Sequence, residues 1–491
     1  MTRHLAALAL IIGALSACST LPVENPESSL PADVAASAWH SSDTVGGEAD
    51  ITDGDGQWWQ LFGDEQLSEL IEAGLAANQD VSIATARLRQ AAANLRASRS
   101  TRLPQMDFAL NAQRAEVSPQ GAGAASQLNN AGFLNAVNEF YDLGVTLNWE
   151  ADLFGRLGAQ VSAASSDVAA AAADTAGVRL TVAASIAAAY LELRALQGRL
   201  AVEQTNVRIS EEQRDLARDL AASGLGPELD ALRAEGQLET SRARLPALEG
   251  QIAVQRFTLA SLIGEVPEAL TGDLSGGTLP TAPDVLPTGV RSDVLRRRPD
   301  ILAASWGVRA AASRLEAQAK VRFPQLVLTG AGGTDAGTFI KLLEANSVTW
   351  LLGAAVAMPV YRAGAIRAAV DDAEAALDIA QLTLDRTALV ALQEAESALA
   401  AFAAAREERD RLQSATRATA EAANIATRLY DTGLGDYLSV LDARREDRSA
   451  ALALVNARNR MNQRAVDLYR ALGGGWESPA EGGDSLALVG P

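Results

Sequence analysis

Four stretches of this chain alternate between two kinds of position. Met106, Phe108, Leu110 and Ala112 alternate with Asp107, Ala109, Asn111 and Gln113. Tyr141, Leu143, Val145, Leu147 and Trp149 alternate with Asp142, Gly144, Thr146, Asn148 and Glu150. Further on, Leu326 and Leu328 alternate with Gln325, Val327 and Thr329, and Val348, Trp350, Leu352, Ala354, Val356 and Met358 alternate with Ser347, Thr349, Leu351, Gly353, Ala355 and Ala357. A period of two puts each set on one face of a strand. Strands are expected at about 104–113, 140–151, 323–331 and 347–360. Strands of this length with one apolar face suit a membrane β-barrel, with Tyr141, Trp149 and Trp350 placed as interfacial aromatics. The same pattern fits a soluble antiparallel sheet that packs one face on a core.

Around the strands the pattern becomes helical. Glu65–Arg102 is helical by composition, and Pro104 ends it, because proline disfavours helix at the residue before it. From Leu157 to Ala222, and again from Gly364 to Asp431, there is no proline. At ~1.5 Å per residue each run spans roughly 100 Å as a helix. Such a helix must pack on partners along its length. Steps of four and three run through Ile366, Val370, Ala373, Leu377, Ala380 and Leu384, and through Leu245, Leu248, Ile252, Gln255, Leu259 and Leu262. They mark packing seams. Return helices are expected at Pro227–Ile263 and Asp436–Leu472, each about half as long as the run it follows.

The chain also repeats itself. Asp80, Arg89, Leu95, Arg102, Pro104 and Gln105 recur as Asp300, Arg309, Leu315, Arg322, Pro324 and Gln325, at an offset of 220. Gly224-Leu225-Gly226, Leu229, Leu232 and Gly264 recur as Gly433-Leu434-Gly435, Leu438, Leu441 and Gly473, at an offset of 209. The expected organisation is a leader at 1–17, an N-terminal linker at 18–56, a first repeat at 57–264, a linker at 265–290, a second repeat at 291–474 and a tail at 475–491. Each repeat reads helix, strand, loop, strand, long helix, tight turn, helix.

Composition narrows the chemistry. Aromatics are only 4 % of the 491 residues against 48 % hydrophobic, and alanine, the strongest helix former, supplies much of the difference. The formal charge of −19 disfavours nucleic acid as a partner. One cysteine, Cys18, and two histidines, His4 and His40, leave no disulfide framework, no zinc cluster and no nucleophile–base set. No catalytic, metal or cofactor site is expected. The carboxylates of Asp371-Asp372 are adjacent on a helix and point apart.

The single cysteine has a specific setting. Leu5 to Leu15 is an apolar run behind Arg3 and His4, too short for a bilayer span of about 20 residues. It fits a secretory signal. It ends in Leu15-Ser16-Ala17-Cys18, which resembles the bacterial lipobox. That resemblance implies a diacylglycerol and a fatty acid on Cys18 as the new N-terminus. Removing Arg3 with the leader takes the net charge from −19 to −20. Ser19 after Cys18, by resemblance to bacterial sorting, implies the outer membrane.

The anchor and the helices favour the membrane reading of the strands. Four strands cannot close a membrane barrel, and open edges are not tolerated in lipid. Several chains must then share one barrel. The order and spacing of Trp58-Trp59-x-x-Phe62, Asp152-Leu153-Phe154-Gly155-Arg156, Arg296-Arg297-Arg298-Pro299-Asp300, Phe323-Pro324-Gln325 and Tyr430-x-x-Gly433-x-x-x-Tyr437-Leu438-x-Val440-Leu441-Asp442-Ala443 resemble the TolC-like outer-membrane factor family, in its lipoprotein branch of OprM- and NodT-like efflux components. The resemblance covers about residues 57–474. It implies a mainly α fold with a membrane portion: a homotrimer whose twelve-stranded outer-membrane barrel continues into a periplasmic α-helical coiled-coil barrel. It further implies an exit duct for small molecules of a tripartite efflux system, with a periplasmic adaptor protein and an inner-membrane pump as partners.

By the same resemblance, Gly224, Leu225, Gly226, Gly433, Leu434 and Gly435 are hairpin tips facing the adaptor, and Asp230, Tyr430 and Asp442 match gate residues. Rings of Asp230 and Asp442 would favour cations; the plainer reading makes them solvated or capping acids near a turn. The sequence departs from the family at Ser439, where a second aspartate is common, and at Gly435, where some members carry arginine. A type I protein-secretion duct is an alternative use of the architecture. A periplasmic adaptor would show one hairpin between β-rich halves, not two tandem hairpins with strand pairs.

Overall fold

The computed structural model describes residues 55–474 apart from 117, 119–123, 125, 128–130, 133–136, 270–273, 275 and 287–296. The leader, Cys18 and the tail at 475–491 lie outside the described residues. The elements in chain order are α1 (Glu65–Ala77), α2 (Gln79–Ser100), β1 (Gln105–Glu116), β2 (Val137–Ala151), α3 (Arg156–Ala222), α4 (Glu228–Arg242), α5 (Leu245–Leu262), α6 (Pro299–Lys320), β3 (Gln325–Ala336), β4 (Val348–Ala357), α7 (Ala365–Asp431) and α8 (Tyr437–Ala471). The chain divides into two compact units.

One unit comprises Gln90–Ala169 and Ser305–Leu382. It holds an antiparallel sheet in the order β1-β2-β3-β4. The register aligns the apolar sets into one continuous face. Phe108 pairs with Val145, Val145 with Gly332, and Gly332 with Trp350. The other face carries Asn111, Asp142 and Asp335 in one row, with Asn111 donating to Asp142 at 3.0 Å. Strand ends that join helices lie along one edge of the sheet, and the two hairpin loops along the other. The helix edge is pinned locally. Asp152 accepts from the Leu157 and Gly158 amides at 3.1 and 2.6 Å, capping α3, while Arg156 binds Glu150 at 2.7 Å. Phe154 stacks on Phe323 at 5.0 Å, and the Trp149 indole donates to the Arg102 carbonyl at 2.9 Å.

The strands run past their expected ends. β1 and β2 extend to Glu116 and start from Val137, and β3 continues to Ala336 through Gly330, Gly332 and Gly333. Those glycines read as a loop in sequence. In the sheet, Gly333 lies so close to Gly144 that a Cβ on it would sit 2.3 Å from the Leu143 carbonyl oxygen. β4 is shorter than expected, Val348–Ala357, since Pro359 cannot extend the ladder.

The second unit comprises the described residues through Arg89, together with those of Ala170–Ala304 and from Thr383 onward. Its core is built on Trp58, Ile71, Ile186, Tyr190, Leu191, Leu259, Phe402, Met461 and Tyr469. Trp58 stacks on Tyr469 at 5.4 Å, with Trp59 and Phe62 edge-on to it. Buried Arg298 joins Asp300 and Glu394, each at 2.7 Å, and donates to the Ala471 carbonyl at 2.9 Å. Residues 276–286 are stitched on by side chains. Asn462 donates to the Pro280 carbonyl and accepts from the Ala282 amide, Arg409 binds Asp284, and buried Arg194 donates to the Gly276 carbonyl.

Two helices expected to be continuous are broken. The first breaks at Asn78, whose side chain accepts from the Asp80 and Val81 amides at 2.8 and 3.3 Å and so starts α2. The return helix of the first half breaks at Ala243–Arg244, where Pro246 removes a backbone donor. Its counterpart α8 carries no proline and runs unbroken. α3 and α7 each contain a window long and apolar enough to cross a membrane by composition alone, but in α3 most of that window is buried, as a core helix is.

Candidate functional site

The tips are built alike. α3 ends in Gly224 at φ +74°, with the Leu225 and Gly226 amides donating to the Leu220 carbonyl at 2.9 and 3.1 Å. α7 ends in Gly433 at φ +72°, with the Leu434 and Gly435 amides donating to the Leu429 carbonyl at 2.8 and 3.0 Å. These are helix C-caps that need a left-handed residue, which glycine supplies without a Cβ clash. The cap leaves Leu225 and Leu434 equally exposed at the apex.

Beyond the apex the tips differ. α4 starts at Pro227 with no side-chain cap. α8 starts at Asp436, which accepts from the Ser439 amide at 2.8 Å and its hydroxyl at 3.0 Å. Those two bonds hold the Asp436 carboxyl below its ordinary range. Ser439 is therefore a capping partner.

The structure brings Asp230 of the first tip to Tyr430 and Tyr437 of the second. The tyrosine rings lie 5.5 Å apart, tilted by 51°. Tyr437 is 3 % exposed and packs on Ala217 and Ala234, with Tyr430 against the same cluster. Its hydroxyl has no hydrogen-bond partner among the described residues. Burial first, then the neighbouring Tyr430 and Asp230, push the Tyr437 phenol up to about 12. Tyr430 is raised by burial and then by Asp230 and Asp431. The Asp230 side chain is 16 % exposed, with Arg233 at 3.6 Å. One shielded carboxylate thus faces two phenols that keep their protons.

Asp442 is not part of this group. It pairs with Arg445 at 2.7 Å, both side chains being 70 % exposed. Three further links were not singled out from sequence. Arg218 of α3 binds Glu235 of α4 at 2.6 Å, and Arg444 of α8 donates to Thr427 of α7 at 3.0 Å. Buried Glu203 of α3 lies between Arg244 at 3.8 Å and Arg448 at 3.6 Å. Each is an ordinary Arg–acid or Arg–Thr pairing in a chain full of such residues, so only adjacency distinguishes it. Among the described residues, no three His, Cys, Asp or Glu side chains gather as a metal site requires.

The profile of a family described as outer membrane efflux protein matches residues 70–265 and 290–474. The toluene efflux pump outer membrane protein TtgF of Pseudomonas putida is 29 % identical over 494 residues, covering 97 % of this chain and 98 % of the relative. The pyoverdine export outer membrane protein OpmQ of the same species is 29 % identical over 483 residues, again covering 97 % and 98 %. Among solved structures, the outer-membrane channel OprN superposes with a TM-score of 0.81 at 31 % identity, covering 92 % of this chain and 99 % of that one.

Proposed function

Because this chain belongs to the outer membrane efflux protein family, it is an outer-membrane channel and not an enzyme, and we propose that it is the exit duct of a tripartite efflux system. The observation that supports the gate reading is the packing of Tyr437 and Tyr430 of the second tip on Ala217 and Ala234 of the first, with Asp230 beside them. Three copies, four strands each, would close one barrel and satisfy both free sheet edges. Cys18 would carry the lipid that holds each copy to the membrane. The exposed Leu225 and Leu434 apices offer small, equivalent apolar knobs to a periplasmic adaptor, which in turn would join an inner-membrane pump. Relatives named for toluene and for pyoverdine match this chain equally well. That fits a duct whose cargo is chosen by the pump.

Asp230 has two tasks in this reading. Its charge, with its copies around the axis, draws cations to the entrance. With burial, its field keeps both phenols neutral, so that the packing of Tyr437 on Ala217 and Ala234 holds the two tips in one arrangement. Adaptor contacts would open the entrance by binding a separated arrangement better than the joined one. Planar-bilayer recording tests this. Asp230→Asn should reduce cation selectivity, and Tyr430→Phe with Tyr437→Ala should raise the open fraction. If Asp442→Asn changes selectivity and Asp230→Asn does not, the gate lies on the exposed Asp442–Arg445 pair instead.

A further inference from the structure

The hairpin loop between β3 and β4 contains a five-residue 3-10 segment, Phe339–Leu343, with the sequence Phe-Ile-Lys-Leu-Leu. It packs back on β2 and β3, and Leu342 is buried beneath it. In a helix of three residues per turn, positions three apart share an edge. Leu342 is turned to the sheet, Phe339 on the same edge is 64 % exposed, and Ile340 and Leu343 share another edge that is 79 % and 88 % exposed. Phe339 meets Tyr141 edge-on at 5.9 Å. Tyr141 belongs to the apolar face of the sheet, where it pairs with Ala112 and Ala336. Exposed Phe339 thus links the exposed Ile340 and Leu343 to the apolar face.

Position along the membrane normal follows from the strand. Tyr141 and Trp149 lie eight residues apart on β2. At ~3.4 Å per residue and a tilt of about 40°, that is roughly 20 Å of height, close to the apolar band of an outer-membrane barrel. Trp149 is at the helix edge, so Tyr141 is at the far boundary of the band, and the segment on it lies at headgroup level. Lys341 sits in this segment and makes no ion pair among the described residues. It is one of two lysines in a chain whose other permanently charged cations are arginines.

We propose that Phe339–Leu343 is an outer-leaflet anchor: Ile340 and Leu343 enter the boundary between headgroups and acyl chains, and the Lys341 ammonium binds the phosphate of an anionic lipid there. An apolar edge flanked by a cation is the arrangement that interfacial segments use. The occupant is lipid because the edge continues a face that already meets lipid. The anchor would fix the height and tilt of the barrel at the hairpin-loop end of the strands.

This rests on the outer-membrane barrel reading, so the test carries its own controls. The full-length channel is reconstituted in vesicles with a bimane fluorophore on Ile340→Cys, on Leu352→Cys of the apolar face, or on Thr146→Cys of the opposite face. Nitroxide-labelled phosphatidylcholine, nitroxide-labelled phosphatidylglycerol and aqueous iodide serve as quenchers. Ile340→Cys should be quenched by the labelled lipids and shielded from iodide, like Leu352→Cys. The anionic lipid should quench it more strongly, by up to about fivefold in relative affinity for one nearby cation. Lys341→Ala should bring that ratio to about one while the quenching by phosphatidylcholine persists. Iodide quenching of Ile340→Cys at the level of Thr146→Cys, with Leu352→Cys still lipid-quenched, overturns the anchor and leaves the barrel standing. An anionic preference unchanged by Lys341→Ala overturns the phosphate contact. Loss of lipid quenching at Leu352→Cys overturns the barrel reading and the anchor with it.

Discussion

The contact between Gly144 and Gly333 offers a sharp test of how the two halves join, because β2 and β3 come from different halves of the chain. A methyl group on Gly333 would sit 2.3 Å from the Leu143 carbonyl oxygen and 2.7 Å from the Gly144 Cα, both backbone atoms. Neither can rotate away, so the strands must part by about an ångström. Overpacking of this kind costs about 1–3 kcal/mol. Stretching one or two ladder hydrogen bonds adds about 0.5–1.5 kcal/mol for each. The penalty for Gly333→Ala is then about 1.5–6 kcal/mol in each copy. Gly332, next along the strand, is the control: a Cβ there meets nothing within 4 Å. Gly332→Ala should be neutral, and its methyl group would join the apolar face. The assay is the half-life of the assembled channel in detergent at a fixed elevated temperature, read on unheated gels. Gly333→Ala should shorten it at least about tenfold and Gly332→Ala by less than about twofold, since 1.4 kcal/mol corresponds to a factor of ten. Equal half-lives for the two variants would refute the close-contact argument.

Three further outcomes follow from the second unit. Trp58→Ala removes a buried ring stacked on Tyr469 and should cost about 3–5 kcal/mol in denaturant unfolding; a loss below 1 kcal/mol would mean that the region relaxes around the cavity. Arg298→Ala strips the Ala471 carbonyl and the half-exposed Asp300 and Glu394 of one shared buried donor and should cost about 1–3 kcal/mol, with Arg298→Lys a poor substitute because one ammonium cannot span three acceptors. Stability should also fall in strong alkali. Tyr190, buried and donating to Asp64 at 2.8 Å, is raised like Tyr437 to about 12. The unfolded chain loses those protons near the ordinary phenol value of about 10, so this contribution is complete below pH ~10 and is lost as pH rises toward about 12. Melting temperatures between those two limits should drop less when both residues are phenylalanine, and an unchanged slope would refute the assignment.

The sequence shows some of this readily and hides the rest for identifiable reasons. Strand faces are legible because a period of two is a local signal, so Tyr141, Val145 and Trp149 are assigned to one face at once. The length of β3 is not, because Gly330 to Gly333 carries no alternation; its strand character comes from β2, a partner some 190 residues away in the chain. The break at Asn78 has a local signature, an asparagine able to cap, and Pro246 is an overt breaker set within an otherwise regular seam. At the tips, glycine punctuation locates both turns, and Tyr430 comes from the family resemblance, not from a local signal. That Asp230 rather than Asp442 lies against Tyr430 is tertiary information, set by how two hairpins pack. The stitching of 276–286 by Arg194, Asn462 and Arg409 has no local pattern at all, since each donor acts across a long sequence separation on backbone carbonyls or a single acid.

The strand order β1-β2-β3-β4 leaves a free edge at each end of every copy. Within lipid, each unpaired backbone group on such an edge costs several kcal/mol. Partial rings, of one copy or two, therefore have no stable place in the bilayer. The second unit, by contrast, has its own aromatic and aliphatic core and needs no bilayer to bury it. If three copies share one ring, closure must precede or accompany insertion, because an open edge has no partner in lipid. A copy with a damaged edge strand would halt insertion for its intact neighbours, so variants in β1 or β4 should be dominant over wild type in the same cell.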